Sequence, residues 1–226
     1  MQTRLRKAVA EDIPAISEIS RRIWFDDATE GGHEFSTLTA LNDTLHLVRE
    51  TTYSQVAVSE DDGTVLGALL ARVDGEAPQA GERLAQVESA FGKTATTLSA
   101  SEHGRGIVSY LERDRADTQQ LAASVRKETP TELLLFILSP QARGHRLGSA
   151  LYDGFLAHLR ERGVRDYYLY TDSTCSYGFY DHRGLRRVAE RKKAPTVEGG
   201  YYDKFIYRGE VEVKGAEHDG SRERKV

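Results

Sequence analysis

The sequence predicts an α/β fold, and three stretches carry that prediction. Residues 133–138, Leu-Leu-Leu-Phe-Ile-Leu, are an unbroken apolar run of strand length, the pattern of a strand covered on both faces. Leu147, Leu151, Tyr152, Phe155, Leu156 and Leu159 then recur at helical spacing, and Tyr167 to Thr171 reads as the next strand. A strand–helix–strand unit of this kind is a right-handed crossover between parallel strands. Asp61-Asp62-Gly63 is a turn signal between two β-rich runs, so residues 53–74 read as a hairpin.

The remaining elements follow in order. Leu5 and Val9 suggest a short first strand over 3–9. Glu11-Asp12-Ile13-Pro14 is a helix start, because acidic residues and proline suit a first turn. Ile13, Ile16, Ile19, Ile23 and Trp24 continue that helix, Asp26 to His33 reads as a loop, and Phe35, Leu38, Leu41, Leu45 and Val48 mark a second helix. Residues 75–130 are Ala-, Glu-, Arg- and Gln-rich with few large apolar residues, and read as a partly mobile helical insertion. Its expected helices are 83–91 and 109–127, joined by a polar link over 92–106. The weak stripe Leu111, Thr118, Leu121 and Val125 predicts packing on one side only. Tyr177 to His182 reads as a short helix, and Leu185–Lys192 and Tyr202–Tyr207 as two strands that could pair. The expected organisation is one domain over 1–214, with the insertion at about 75–130 and a disordered charged tail over 215–226.

Bulk properties narrow the function classes. The net charge is −4, from 31 Lys+Arg against 35 Asp+Glu, which argues against general nucleic-acid binding. A single cysteine, Cys175, makes no internal disulfide and suggests a reducing compartment. The N-terminus has no apolar signal core, and no apolar run approaches the roughly 20 residues that span a bilayer. A cytoplasmic protein without membrane attachment is therefore expected. The seven histidines are scattered without ligand spacing, so no metal is expected.

The strongest local signal is Leu138-Ser139-Pro140-Gln141-Ala142-Arg143-Gly144-His145-Arg146-Leu147-Gly148-Ser149, between the buried strand and the helix. The first N–H groups of a helix lack internal partners, and the helix dipole favours an anion there. Gly144 and Gly148 permit close backbone approach, and Arg143 and Arg146 add positive charge. Such a turn suits the pyrophosphate of a large anionic cofactor, whereas neither GxxxxGK[ST] nor a post-strand GxGxxG is present.

This segment resembles the acetyl-CoA site of the GNAT superfamily of acyltransferases, whose pattern is V-x-P-x-x-R-G-x-G-x-G/A. Leu138, Pro140, Arg143, Gly144 and Gly148 match, while Arg146 stands where the family usually has its first key glycine. Ala10 to Ile16 is similar to the family's first helix entry. Tyr180 and Gly184 match its N-x-x-A-x-x-x-Y-x-x-x-G-F pattern, with Leu185 for Phe and with Ser173 and Ser176 in place of Asn and Ala. The resemblance covers about 3–74 and 131–208. It implies a mixed, mostly antiparallel twisted sheet with a central parallel crossover and flanking helices.

The resemblance also implies an N-acetyltransferase that moves an acetyl group from acetyl-CoA to a primary amine by direct attack in a ternary complex. Backbone at Ile137 and Leu138 would polarise the thioester carbonyl. Arg143, Gly144, His145, Arg146, Leu147, Gly148 and Ser149 would hold the phosphates, and Ser173 would touch the pantetheine arm. Tyr180 would protonate the leaving thiolate. Tyr177 is the alternative phenol, and core packing is the competing reading of Tyr180. For the general base, Asp172 is preferred because it ends a strand, with Glu132, His182 and the Asp26–Asp27 pair as the other candidates. Trp24, Phe25, Asp26 and Phe35 are expected to face the acceptor, a small or amino-acid-like amine favoured by nearby carboxylates. Cys175 reads as an unreactive thiol. A non-catalytic acyl-CoA-binding, regulatory or protein-interaction domain is the alternative function, and pairing of C-terminal strands in a homodimer is left open.

Overall fold

Residues 2–25, 32–79, 84–142, 144–196 and 199–212 are described by the computed structural model. Seven strands form one sheet: β1 (Thr3–Arg6), β2 (Tyr53–Ser59), β3 (Val65–Arg72), β4 (Glu132–Leu138), β5 (Asp166–Asp172), β6 (Arg186–Pro195) and β7 (Tyr201–Glu210). Their order is β1-β2-β3-β4-β5-β7-β6, and every neighbouring pair is antiparallel except β4 and β5. The helices are α1 (Ile13–Trp24), α2 (Gly32–Glu50), α3 (Leu84–Leu98), α4 (Glu102–Leu121), α5 (Ala123–Glu128), α6 (Leu147–Glu161) and α7 (Gly178–His182). No helix among the described residues is long and apolar enough to cross a membrane.

Alternation along the strands feeds two faces. On one, the α6 stripe of Leu147, Leu151, Tyr152, Phe155 and Leu159 packs against Leu69, Leu133, Tyr167, Leu169, Phe205 and Tyr207. Leu151, Phe155 and Leu159 are fully buried, each worth about 1.5–3 kcal/mol relative to exposure. On the other face, Ile16 and Ile19 of α1 and Leu47 and Val48 of α2 cover Val56, Val58, Ala68, Leu70, Leu135 and Ile137. Beside them, Ala122 and Val125 cover Tyr168 and Ile206, so the insertion extends the α1/α2 layer over β5 and β7.

The insertion corrects one expectation. Residues 92–106 are not a polar link, because α3 runs to Leu98 and α4 begins at Glu102. Three threonines in this stretch are accommodated in the helix by bonding backward: Thr94, Thr96 and Thr97 donate to the carbonyls of Phe91, Gly92 and Lys93. Asn42 of α2 donates to Thr94 Oγ1 (2.8 Å), joining the two helices. The real corner is Ser99–Ser101, where the Ser101 hydroxyl caps α4 by accepting from the Gly104 N–H (3.0 Å). The second helix also starts earlier than its apolar stripe indicated, at Gly32. The tail over 215–226 lies outside the described residues.

Candidate active site

The site begins with an interruption of the sheet. Strands β4 and β5 pair only at Glu132↔Tyr168 and Leu133↔Leu169. Immediately beyond, the β3–β4 register shifts between Leu70↔Leu135 and Ala71↔Leu133, which leaves Leu134 as a bulge. A bulge bends its strand and ends regular pairing. From Leu134 to Leu138, the β4 edge facing β5 therefore has no strand partner, and the two strands part toward their C-terminal ends. Unpaired strand N–H and C=O groups are strong hydrogen-bonding sites, and here they line the β5-facing edge of β4, a slot between the two strands.

Helix α6 starts at the mouth of that slot. A Cβ on Gly148 would lie 2.9 Å from Leu138 Cδ1, so a side chain there would have to displace the end of Leu138, and glycine lets the helix approach the end of β4 without that shift. Gly144 has φ +79° and Arg146 φ +55°, both left-handed. Arg146 thus keeps the backbone conformation that glycine would adopt most easily at the position, and bears the strain of a side chain there. The first-turn N–H groups of the 15-residue α6 have no intrahelical partner and carry the positive end of the helix dipole. His145 and Arg146 are exposed beside them. Arg143 lies outside the described residues.

The end of β5 supplies side chains. Asp172 is buried, and its Oδ1 accepts from the Thr174 N–H (2.8 Å) and hydroxyl (2.6 Å), which fixes the turn after the strand. The Tyr170 hydroxyl donates to Asp172 Oδ2 at 3.4 Å. Ser173 ties β5 to β7: its N–H donates to the Asp203 carbonyl, and its hydroxyl accepts from the Asp203 N–H, both at 2.9 Å. The Ser173 hydroxyl proton remains available for donation.

Cys175 follows, interacting with Trp24 at the end of α1, with Asp172 and with Thr171. Burial pushes its thiol up, and the Asp172 charge adds to the effect, so it stays protonated and non-nucleophilic. Tyr180 on α7 packs against Phe179 and Tyr207 (ring centroids 5.5 and 5.8 Å) and interacts with Cys175. Among the described residues its hydroxyl has no hydrogen-bond partner. Burial raises this phenol well above its ordinary range, keeping it a neutral proton donor.

A second group of phenols adjoins Asp172 from the insertion side. Tyr202 of β7 donates to Asp114 of α4, and Tyr110 of α4 interacts with Tyr202, Asp114 and Asp172. Beneath them lies Lys204, whose Nζ sits 2.7 Å from Asp114 Oδ1, 3.1 Å from Asp117 Oδ2 and 2.9 Å from Thr118 Oγ1.

The sequence-predicted residues thus divide. Trp24, Asp172, Cys175 and Tyr180 come together around the β5 end, and Gly144 to Ser149 form the helix entry. Phe25 closes α1 through its N–H to the Arg21 carbonyl (2.9 Å). Phe35 packs its ring at a tilt against His103 (centroids 4.9 Å), so it serves the α2–α4 seam. Asp26 and Asp27 lie outside the described residues. Glu132 is at the opposite end of β4, held by Arg72 (2.5 Å) and Tyr168 (2.5 Å), and His182 bonds the Gly178 carbonyl (2.5 Å). Both are therefore engaged structurally. Tyr110 and the Leu134 bulge were not foreseen: six apolar residues in a row contain no period that locates a bulge, and an isolated tyrosine on a polar helix carries no signal.

No family model and no curated protein sequence matches the chain. Several solved structures do. The ribosomal-protein-S18-alanine N-acetyltransferase of Escherichia coli superposes with a TM-score of 0.53 at 14% identity, covering 96% of this chain and 98% of that one. Arylalkylamine N-acetyltransferase 2 of Aedes aegypti gives 0.54 at 15%, covering 94% and 100%. A Desulfovibrio desulfuricans protein assigned to the GNAT family of acetyltransferases gives 0.51 at 16%, covering 93% and 100%. Strand order, the single parallel pair and these superpositions lead to one conclusion: the chain has the fold of the GNAT superfamily.

Proposed function

We propose that this protein is an N-acetyltransferase that carries an acetyl group from acetyl-CoA to a primary amine. The observation that carries the reading is the slot opened by the Leu134 bulge, with the α6 N-terminus at its mouth and a neutral phenol, Tyr180, beside it. The residues present fit the donor. Left-handed Gly144 and Arg146, and the absence of a Cβ on Gly148, bring backbone N–H groups to a position where a pyrophosphate can be held. Unpaired β4 backbone near Ile137 and Leu138 offers hydrogen bonds to the pantetheine amides and to the thioester oxygen as it gains charge.

In this reading the amine nitrogen attacks the thioester carbonyl carbon directly, forming the C–N bond. Asp172 receives the acceptor's ammonium and accepts its proton. The tetrahedral intermediate then expels the thiolate as its nitrogen releases a second proton to solvent and becomes the neutral amide; the thiolate takes a proton from Tyr180, and solvent restores the phenol. Ser173 has a hydroxyl proton to offer the pantetheine arm.

Tyr180→Phe tests the assignment. Turnover with acetyl-CoA and an accepted amine should fall by about 10²-fold or more, with acetyl-CoA affinity by calorimetry unchanged. A variant that binds acetyl-CoA and turns over at the parent rate would remove Tyr180 from the chemistry. A folded parent that binds acetyl-CoA without acetylating any amine in a broad panel would favour a regulatory acyl-CoA-binding domain.

A further inference from the structure

At the start of β5, on the α6 face of the sheet, a cavity of about 300 Å³ opens between α6 and the chain that leads from α7 into β6. Its wall includes Tyr152, Leu156, Tyr167, Arg183, Leu185 and Glu210. It is separate from the slot: Tyr167 stands five residues before Asp172 on β5, about 17 Å along the strand. The Tyr152 and Tyr167 hydroxyls bond each other and no other group among the described residues. Gly209 makes the pair possible, since a side chain there would fall on the Tyr167 ring. Burial holds both phenols neutral, with pKa values raised above their ordinary range. Two neutral hydroxyls carry two protons, and one mutual hydrogen bond uses only one of them. The other is a donor without an acceptor, on side chains that are each 1% exposed. A buried donor of this kind calls for a partner.

Arg183 supplies charge beside the pair. Its guanidinium lies over the rings of Tyr152 (5.0 Å) and Phe179 (5.3 Å). Among the described residues only its Nη1 is bonded, to Asp153 (2.6 Å), whose side chain is 59% exposed. The other arginines in the wall are taken up, Arg208 by Asp166 and Glu128, and Arg186 by Glu210. We infer that this cavity is a second ligand site, which takes a small monocarboxylate with an apolar body. The carboxylate accepts the spare phenol proton and the free N–H groups of Arg183, where charge-assisted bonds are strong. The body lies against Leu156 and Leu185. One cation with donors to spare matches a single negative charge better than a phosphate dianion, and it repels an amine. The site does not depend on the acetyltransferase reading.

Benzoate is the probe, followed by ligand-observed NMR on the full chain, with benzamide and benzylamine as controls of the same ring. The parent should bind benzoate saturably and about tenfold or more tighter than either control, and excess acetyl-CoA should not displace it. Arg183→Gln should weaken benzoate about tenfold. Either single Tyr→Phe change leaves one unspent proton, so the informative variant is the double Tyr152→Phe/Tyr167→Phe. It should also weaken benzoate about tenfold, while Tm stays within about 2 °C, because removing both partners of a hydrogen bond at constant shape is nearly neutral. If the double variant does not fold, Arg183→Gln decides alone. Equal binding of benzoate and benzamide, benzoate affinity that survives these substitutions, or displacement of benzoate by acetyl-CoA overturns the inference. So does a folded parent that ignores benzoate, which would leave the cavity to water.

Discussion

Replacing Arg146 with glycine tests the helix-entry geometry most directly. Arg146 has φ +55° and ψ +18°, a conformation that costs an L-residue about 1–2 kcal/mol. The side chain is exposed and makes no hydrogen bond or ion pair among the described residues, so Arg146→Gly removes strain without removing a contact. The more flexible unfolded chain takes back about 0.4–1 kcal/mol. The net gain is then about 0.5–1 kcal/mol, and for a chain of this length 1 kcal/mol moves Tm by about 2–4 °C. Thermal unfolding followed by circular dichroism should show Tm rising by about 1–3 °C. Acetyl-CoA affinity should weaken about two- to fivefold at low salt and less at high salt, because one cation beside the phosphate cradle is lost. A fall in Tm would refute the left-handed assignment. Affinity unchanged at low salt would show that the side chain points away from the phosphates.

Other positions give sharp expectations. In Gly104→Ala the new Cβ would fall on the Leu98 carbonyl oxygen, so the α3–α4 corner must open, costing about 3 kcal/mol and visible as a large Tm drop; an unchanged Tm would contradict the corner. Lys204→Met leaves Asp114 and Asp117 without their buried partner and should cost about 3 kcal/mol, with part of the loss recovered by adding Asp114→Asn; absence of any recovery would contradict this buried pairing. Glu18, bonded by Arg21 and Arg22, has its pKa lowered from 4.5 to about 2. Its stabilisation is present above pH 4.5 and lost as pH falls toward 2, so the Tm gap between parent and Glu18→Gln should close over that window. Because the Glu18 side chain is more than a third exposed, the gap should stay below about 1 kcal/mol, and a gap that persists at pH 2 would contradict the pairing.

The turn between β4 and α6 was readable because its signals are local. Proline, glycine and arginine at fixed offsets between a strand and a helix describe a turn with left-handed backbone at Gly144 and Arg146. The apolar stripe of α6 likewise needs no distant information, since burial of one face dictates its period. Glu132 could not be removed from the list of candidate bases without coordinates, because only the β3–β4 register brings Arg72 to it across 60 residues of sequence. The helices over 92–106 were missed because tertiary contacts override weak propensity: Asn42 anchors Thr94, and the threonine hydroxyls bond backward.

By itself, then, the sequence determined the order of elements, the parallel crossover and the conformationally special turn at Gly144–Gly148, since each depends on periodicity or on the backbone preferences of neighbouring residues. Only the tertiary structure decided where β4 leaves β5, which phenols surround Asp172 and what holds the insertion down. The bulge at Leu134, the approach of Trp24 to Cys175 and the Lys204–Asp114–Asp117 latch join residues up to about 150 positions apart, and contacts at such separations arise from packing of the whole sheet, which no local pattern encodes.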